Sequence, residues 1–115
     1  MILRVVVDSS LTVGQFVQWN ESDNKFVLCT DINNMVGVID MPPEQIGDYW
    51  VAMIRQTGDA SAIAGQDLPA QGGALAVDQN GHAVICTDYT HGIIQARSFD
   101  EGEKLIGDLI AVWLR

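Results

Sequence analysis

The sequence predicts an all-β fold: a small β-barrel or β-sandwich of two pseudo-two-fold halves, with at most one short helix. Three observations predict it. No window of about a dozen residues keeps apolar positions at i, i+3, i+4 and i+7 with capping residues in place. Short runs rich in Val and Ile recur along the chain, bounded by Gly, Asn, Asp and Pro. One block also returns, Val27-Leu28-Cys29-Thr30-Asp31 coming back as Val84-Ile85-Cys86-Thr87-Asp88.

In chain order, strands are expected near 2–7, 15–19, 25–29, 35–39, 49–55, 74–77, 82–86, 92–96 and 109–114. Asp23-Asn24 and Asn80-Gly81 lie between strand pairs, and Asn-Gly tolerates the positive φ of a tight hairpin turn. Met41-Pro42-Pro43 stops a strand, because Pro has no N–H to give a ladder. The best helical stretch is Phe99 to Ile106, about two turns long.

The repeat organises the chain. Gly14 and Val17-Gln18-Trp19-Asn20 match Gly72 and Leu75-Ala76-Val77-Asp78; Gly37-Val38-Ile39 matches Gly92-Ile93-Ile94; Ile46-Gly47-Asp48 matches Ile106-Gly107-Asp108. The offset stays between 55 and 60. The 115 residues therefore read as a single β domain: an N-terminal arm (1–10), repeat one (11–55), a connector (56–68) and repeat two (69–115). Four short strands cannot bury both faces alone, so the two units must close on each other.

Composition narrows the function. The net charge of −9 repels a phosphate backbone and an anionic membrane surface, arguing against nucleic-acid and membrane partners. The acid is evenly spread: residues 1–57 carry three Lys/Arg against seven Asp/Glu, and 58–115 three against eight. No apolar run approaches the ~20 residues that span a bilayer. Met1 to Val7, followed at once by Asp8-Ser9-Ser10, reads as a mature start made in the cytosol.

Chemical motifs are sparse. Gly72-Gly73 lacks the Lys and Ser/Thr of a phosphate cradle. His82, Cys86 and His91 fall within ten residues. In a strand, however, 82 and 86 lie about 13 Å apart, too far for adjacent ligands of one zinc. A Cys86–His91–Asp88 nucleophile set has no counterpart around Cys29. Asp78-Gln79-Asn80-Gly81 opens like a calcium loop but lacks the later ligands, so it reads as a hairpin tip. The sequence thus assigns no catalytic residue, metal or cofactor, and no enzyme activity. Cys29 and Cys86 read as small buried hydrophobes at one duplicated position, with a disulfide as the alternative. Trp19, Trp50 and Trp113 read as core residues, with an aromatic anchor at a subunit contact as the alternative.

Two resemblances follow. Gly14-Gln15-Phe16-Val17 with Glu21-Ser22-Asp23-Asn24-Lys25 resembles the lipoyl-carrier hairpin, whose modified Lys sits at the apex of a tight turn. Here Asn24 takes that place and Lys25 comes one residue late. A small cytosolic β carrier or ligand-binding module is the alternative function. The longer stretch Ala64 to Val84, continuing through Gly92-Ile93-Ile94-Gln95, Asp100-Glu101-Gly102-Glu103 and Asp108 to Leu114, resembles the small capsid decoration (cement) proteins of bacteriophages. That resemblance covers most of residues 11–115. It implies a virion structural protein, made in the host cytoplasm, that binds the capsid exterior as a homotrimer. It would bridge copies of the major capsid protein. In the arm, Ile2, Leu3, Val5 and Val7 are the expected partner contacts, together with Trp19. The arm pairs either with a neighbour's sheet or within its own domain.

Overall fold

The protein is described by a computed structural model covering residues 2–68, 73–86, 96–98 and 102–114. Eleven strands form among them: β1 (Ile2–Val6), β2 (Phe16–Asn20), β3 (Lys25–Leu28), β4 (Gly37–Ile39), β5 (Glu44–Ile46), β6 (Tyr49–Arg55), β7 (Gly58–Ile63), β8 (Gly73–Val77), β9 (Ala83–Ile85), β10 (Ala96–Ser98) and β11 (Leu109–Leu114). The one helical turn described is a 3-10 turn at Ile32–Asn34, where the Asp31 side chain accepts from Asn33 N. The fold is all-β and sandwich-like, without a closed barrel.

The strands make two antiparallel sheets. The first runs β1-β6-β4-β2-β3, with β5 added to β6; the second runs β7-β11-β10-β8-β9. Taken in chain order, the two sheets share one connectivity. The two edge strands of each sheet touch at one isolated parallel bridge, Val7–Phe26 in the first and Ala64–Ala83 in the second, with no ladder between them. The supporting hydrogen bonds also come in pairs. Val7 N donates to Trp50 O as Ala64 N does to Asp108 O, and Asp8 N to Phe26 O as Gly65 N to Ala83 O. Cys29 N donates to Phe16 O as Cys86 N does to Ala74 O.

Matched geometry hides a difference in volume. The first interior is lined by Leu3, Val5, Val7, Val17, Phe26, Ile39, Ala52 and Ile54. The ladders place Ala60, Ala62, Ala64 and Ala83 where the first sheet has Leu3, Val5, Val7 and Phe26. The second interior is therefore too shallow to fill from its own strands. Phe16, Cys29 and Val38 of the first sheet complete it, all fully buried. Strand alternation makes this possible. Val17 and Ile39 face the first core, while their neighbours Phe16 and Val38 face the second.

Backbone contacts lock the joint. Phe16 N donates to Gly81 O at 2.9 Å, and Ile63 N to Gly14 O at 2.9 Å. Gln15 Nε2 donates to Asn80 O at 3.0 Å. Gly14 has φ +90, and a Cβ there would lie 2.7 Å from Ile63 Cγ1, so only glycine permits this approach.

Several sequence expectations change. The arm pairs within its own sheet, as β1 on β6. The 56–68 connector contains β7, whose buried positions are Ala60 and Ala62, weak strand formers that masked the alternation. β5 was also unforeseen; Glu44-Gln45-Ile46 is exposed and holds its place only as a hairpin partner of β6. The expected helix at Phe99–Ile106 is absent over 102–106. There Lys104 bridges Leu68, and residues 106 and 107 form a turn; 99–101 lie outside the described residues. The strand expected at 92–96 is found at Ala96–Ser98, with 92–95, and hence Gly92-Ile93-Ile94, outside the described residues, as is Gly72.

Phe16→Ala is expected to lower the unfolding free energy by about 3–5 kcal/mol, the range for emptying a buried aromatic site. Leu105→Ala, on the surface, should change it by no more than about 0.5 kcal/mol. Urea denaturation followed by tryptophan fluorescence checks both.

Candidate docking surface

Large apolar side chains stand exposed in two corresponding places, each a turn that leads into a long strand. In the first half, Ile46 and Tyr49 pair across a two-residue turn, with Gly47 at φ +62. Tyr49 is 63% exposed, and Met41 is exposed as well. In the second half, Leu105, Ile106 and Leu109 surround Gly107, whose φ is +91. Ile106 is 67% exposed. Both turns carry Ile-Gly-Asp, the match visible in the sequence.

The second tip is held rigidly. Asp108 N donates to Leu105 O at 3.0 Å. Leu105 N donates to Asp108 Oδ2 at 3.0 Å, and Ile106 N to Asp67 Oδ1 at 2.9 Å. The aspartates thus satisfy the turn's amides while its aliphatic side chains face water. A fixed apolar tip loses little conformational entropy on docking.

The first tip continues onto the outer face of its sheet. There Ile2, Arg4 and Val6 lie opposite Arg55, Met53 and Val51. A surface cleft of about 320 Å³ is lined by Arg4, Met41, Pro42, Glu44, Val51, Ala52 and Met53.

The sequence-predicted contacts divide. Ile2 is exposed on β1, which is an edge strand. Leu3 and Val5 turn inward and pack on the first core, and Val7 is buried in it. Trp19 is 46% exposed and rests edge-on against Phe26, with ring centroids 5.1 Å apart. The expectation that the tryptophans fill the core fails: Trp50 is at the edge of exposure and Trp113 is 53% exposed on β11 opposite Asp59. Periodicity put them on strands, but strand ends and outer faces are open here. The Ile46–Tyr49 and Leu105–Leu109 tips were not singled out as contacts. Their signal was the repeated Ile-Gly-Asp, read only as a mark of duplication.

The remaining sequence candidates have structural roles. Lys25 opens β3 opposite Asn20, and Asn24, at φ 54, takes the turn position a carrier would give to lysine. Asp78 Oδ1 accepts from Asn80 N and His82 N, which shapes the hairpin turn. Among the described residues no three His, Cys, Asp or Glu gather as a metal site; Asp88 and His91 lie outside them. Cys29 and Cys86 form no disulfide with each other; Cys29 is buried and Cys86 half-buried. Burial pushes the Cys29 thiol up to about 11, and a hydrogen bond from the Asp31 backbone partly offsets this. Asp8 is held below its ordinary value by hydrogen bonds from Ser10 N and Oγ, both at 2.9 Å.

Three outcomes follow. Iodoacetamide should label Cys86 in the folded protein and Cys29 only after unfolding, as peptide mapping would show. Neutral burial of Cys29 favours the fold below pH 9.0, and that contribution disappears as pH rises toward about 11. Urea midpoints should therefore fall across this window, and fall less in Cys29→Val. The intact mass from a lipoylating host should be that of the unmodified chain, Lys25 being off the apex.

No family model matches the sequence, and no curated protein matches it. In fold, the chain is similar to the solved head fiber gp8.5 N base of bacteriophage phi29. The likeness covers 100% of this chain and 93% of that one, at a TM-score of 0.69 and 14% sequence identity.

Proposed function

We propose that this chain is a structural protein of a phage virion. In this reading it docks on the capsid exterior as a homotrimer and bridges neighbouring copies of the major capsid protein. It is made in the host cytoplasm and has no catalytic role. The observation that carries this is the full-length likeness to a phage head fiber base.

The surface supports it. A bridging protein needs at least two rigid contact points, and each half offers an exposed apolar tip, Ile46–Tyr49 and Leu105–Leu109. The tips lie beside acids, Asp48 at one and Asp67 and Asp108 at the other, which suit a partner surface with a basic rim. Edge strand β1, joined to β3 only at the Val7–Phe26 bridge, offers its remaining outward backbone groups for strand addition. In this arrangement Ile2 and Trp19 touch the partner by side chain. Leu3, Val5 and Val7 support that edge from the core; their backbone groups face β6, and those of Ile2 and Arg4 face the partner. The same reading takes the chain as a tandem duplication, with β1 and β7 as the corresponding edge strands.

Co-sedimentation tests the proposal. The chain should pellet with shells assembled from the major capsid protein of its own genome and raise their heat-disruption temperature. Tyr49→Asp and Ile106→Asp should each weaken binding by at least about tenfold, as loss of an interface anchor does. A chain that stays in the supernatant with intact shells overturns the docking. A strict monomer by light scattering at high concentration overturns the trimer.

A further inference from the structure

The β8–β9 turn, which bonds the second sheet to the first, is also a chemically labile dipeptide. Asn80 is exposed, and the residue after it, Gly81, has no side chain to shield its nitrogen. In such a pair the Gly81 nitrogen attacks Asn80 Cγ. The N–Cγ bond forms, the Cγ–Nδ2 bond breaks, and ammonia leaves with the displaced amide proton. Water then opens the succinimide. Attack at Cγ gives aspartate; attack at the main-chain carbonyl carbon gives isoaspartate, with Gly81 attached through the former side chain.

In the folded protein this chemistry is held back. Gly81 is buried, its N donates to Asp78 O at 3.2 Å, and its O accepts from Phe16 N at 2.9 Å. Asn80 N donates to Asp78 Oδ1 at 2.8 Å, and Asn80 O accepts from Gln15 Nε2 at 3.0 Å. Both peptide groups beside the reacting atoms are thus pinned, three of these bonds fixing the turn's own shape or its seat on β2. For Gly81 N to reach Cγ, the contact with Gln15 and Phe16 must open.

We propose that Asn80-Gly81 is a self-modification site gated by the joint between the halves, with water as the co-reactant. Isoaspartate at this position lengthens the main chain by one carbon between the Gln15 and Phe16 anchors. A joint that has opened and reacted to isoaspartate cannot re-form both hydrogen bonds, whereas one that has reacted to aspartate can. Isoaspartate therefore marks a joint that has opened.

Peptide mapping by mass spectrometry, separating aspartate from isoaspartate, tests this during incubation in mildly alkaline buffer. Folded wild type should react slowly and urea-unfolded wild type much faster. Folded Gln15→Ala should react about fivefold faster than wild type, the effect of losing one neutral hydrogen bond that holds the gate. If that variant does not fold, Phe16→Leu loosens the same joint. Asn80→Gln should abolish the product. Equal rates in folded and unfolded wild type overturn the gating. So does a loosened joint that leaves the rate unchanged. Absence of product in urea overturns the site itself.

Discussion

Phe16 is the residue on which both halves depend. Its side chain is completely buried, yet it belongs to one sheet and fills the interior of the other. Its N donates to Gly81 O across the joint, and its O accepts from Cys29 N within its own sheet. One residue thus couples ladder, core and joint. The cause is volume. Four alanines line the second interior where leucine, valines and phenylalanine line the first. A close-packed interior cannot keep the resulting void. The second interior is filled only when Phe16, Cys29 and Val38 of the first sheet are in place, and their burial there stabilises both halves, whereas the first core draws on its own residues alone.

The surface follows the opposite logic. Exposed apolar side chains are ordinary one at a time, but clusters on fixed turns are informative. At the second tip the amides of Leu105 and Ile106 are already bonded to Asp108 and Asp67. The N–H groups of that turn therefore need no new partner on docking. The outer face of the first sheet continues from the other tip through Val51, Val6 and Met53, all half-buried. Arg4, Arg55 and Glu44 bring charge to that region, and Arg55 is paired with Asp40 at 3.3 Å. Such a half-buried, still solvent-screened pair adds little to stability.

Much of the ladder was legible in the sequence. Tyr49–Arg55 and Leu109–Leu114 are long apolar runs closed by turn residues, and their expected bounds, 49–55 and 109–114, are those of β6 and β11. Asn80-Gly81 named its own turn. Alanine-rich β7 and polar β5 were not legible, because neither propensity nor alternation marks them; pairing with a neighbour creates them. Nor was the docking surface. Ile46-Gly47-Asp48 and Ile106-Gly107-Asp108 stood out as a repeat, but exposure of their isoleucines depends on what else reaches those turns.

The sequence by itself determined that the chain is all-β, where most strands stop, and that Cys29 and Cys86 stand at matched positions. These are local properties, fixed by turn chemistry and side-chain period. Only the tertiary structure decided that Phe16 and Val38 serve the second core, that Cys29 is buried while Cys86 is not, and that the tryptophans face outward. Period tells which residues share a face of a strand. What covers that face depends on the volume left by distant residues, here the small alanines of β7 and β9.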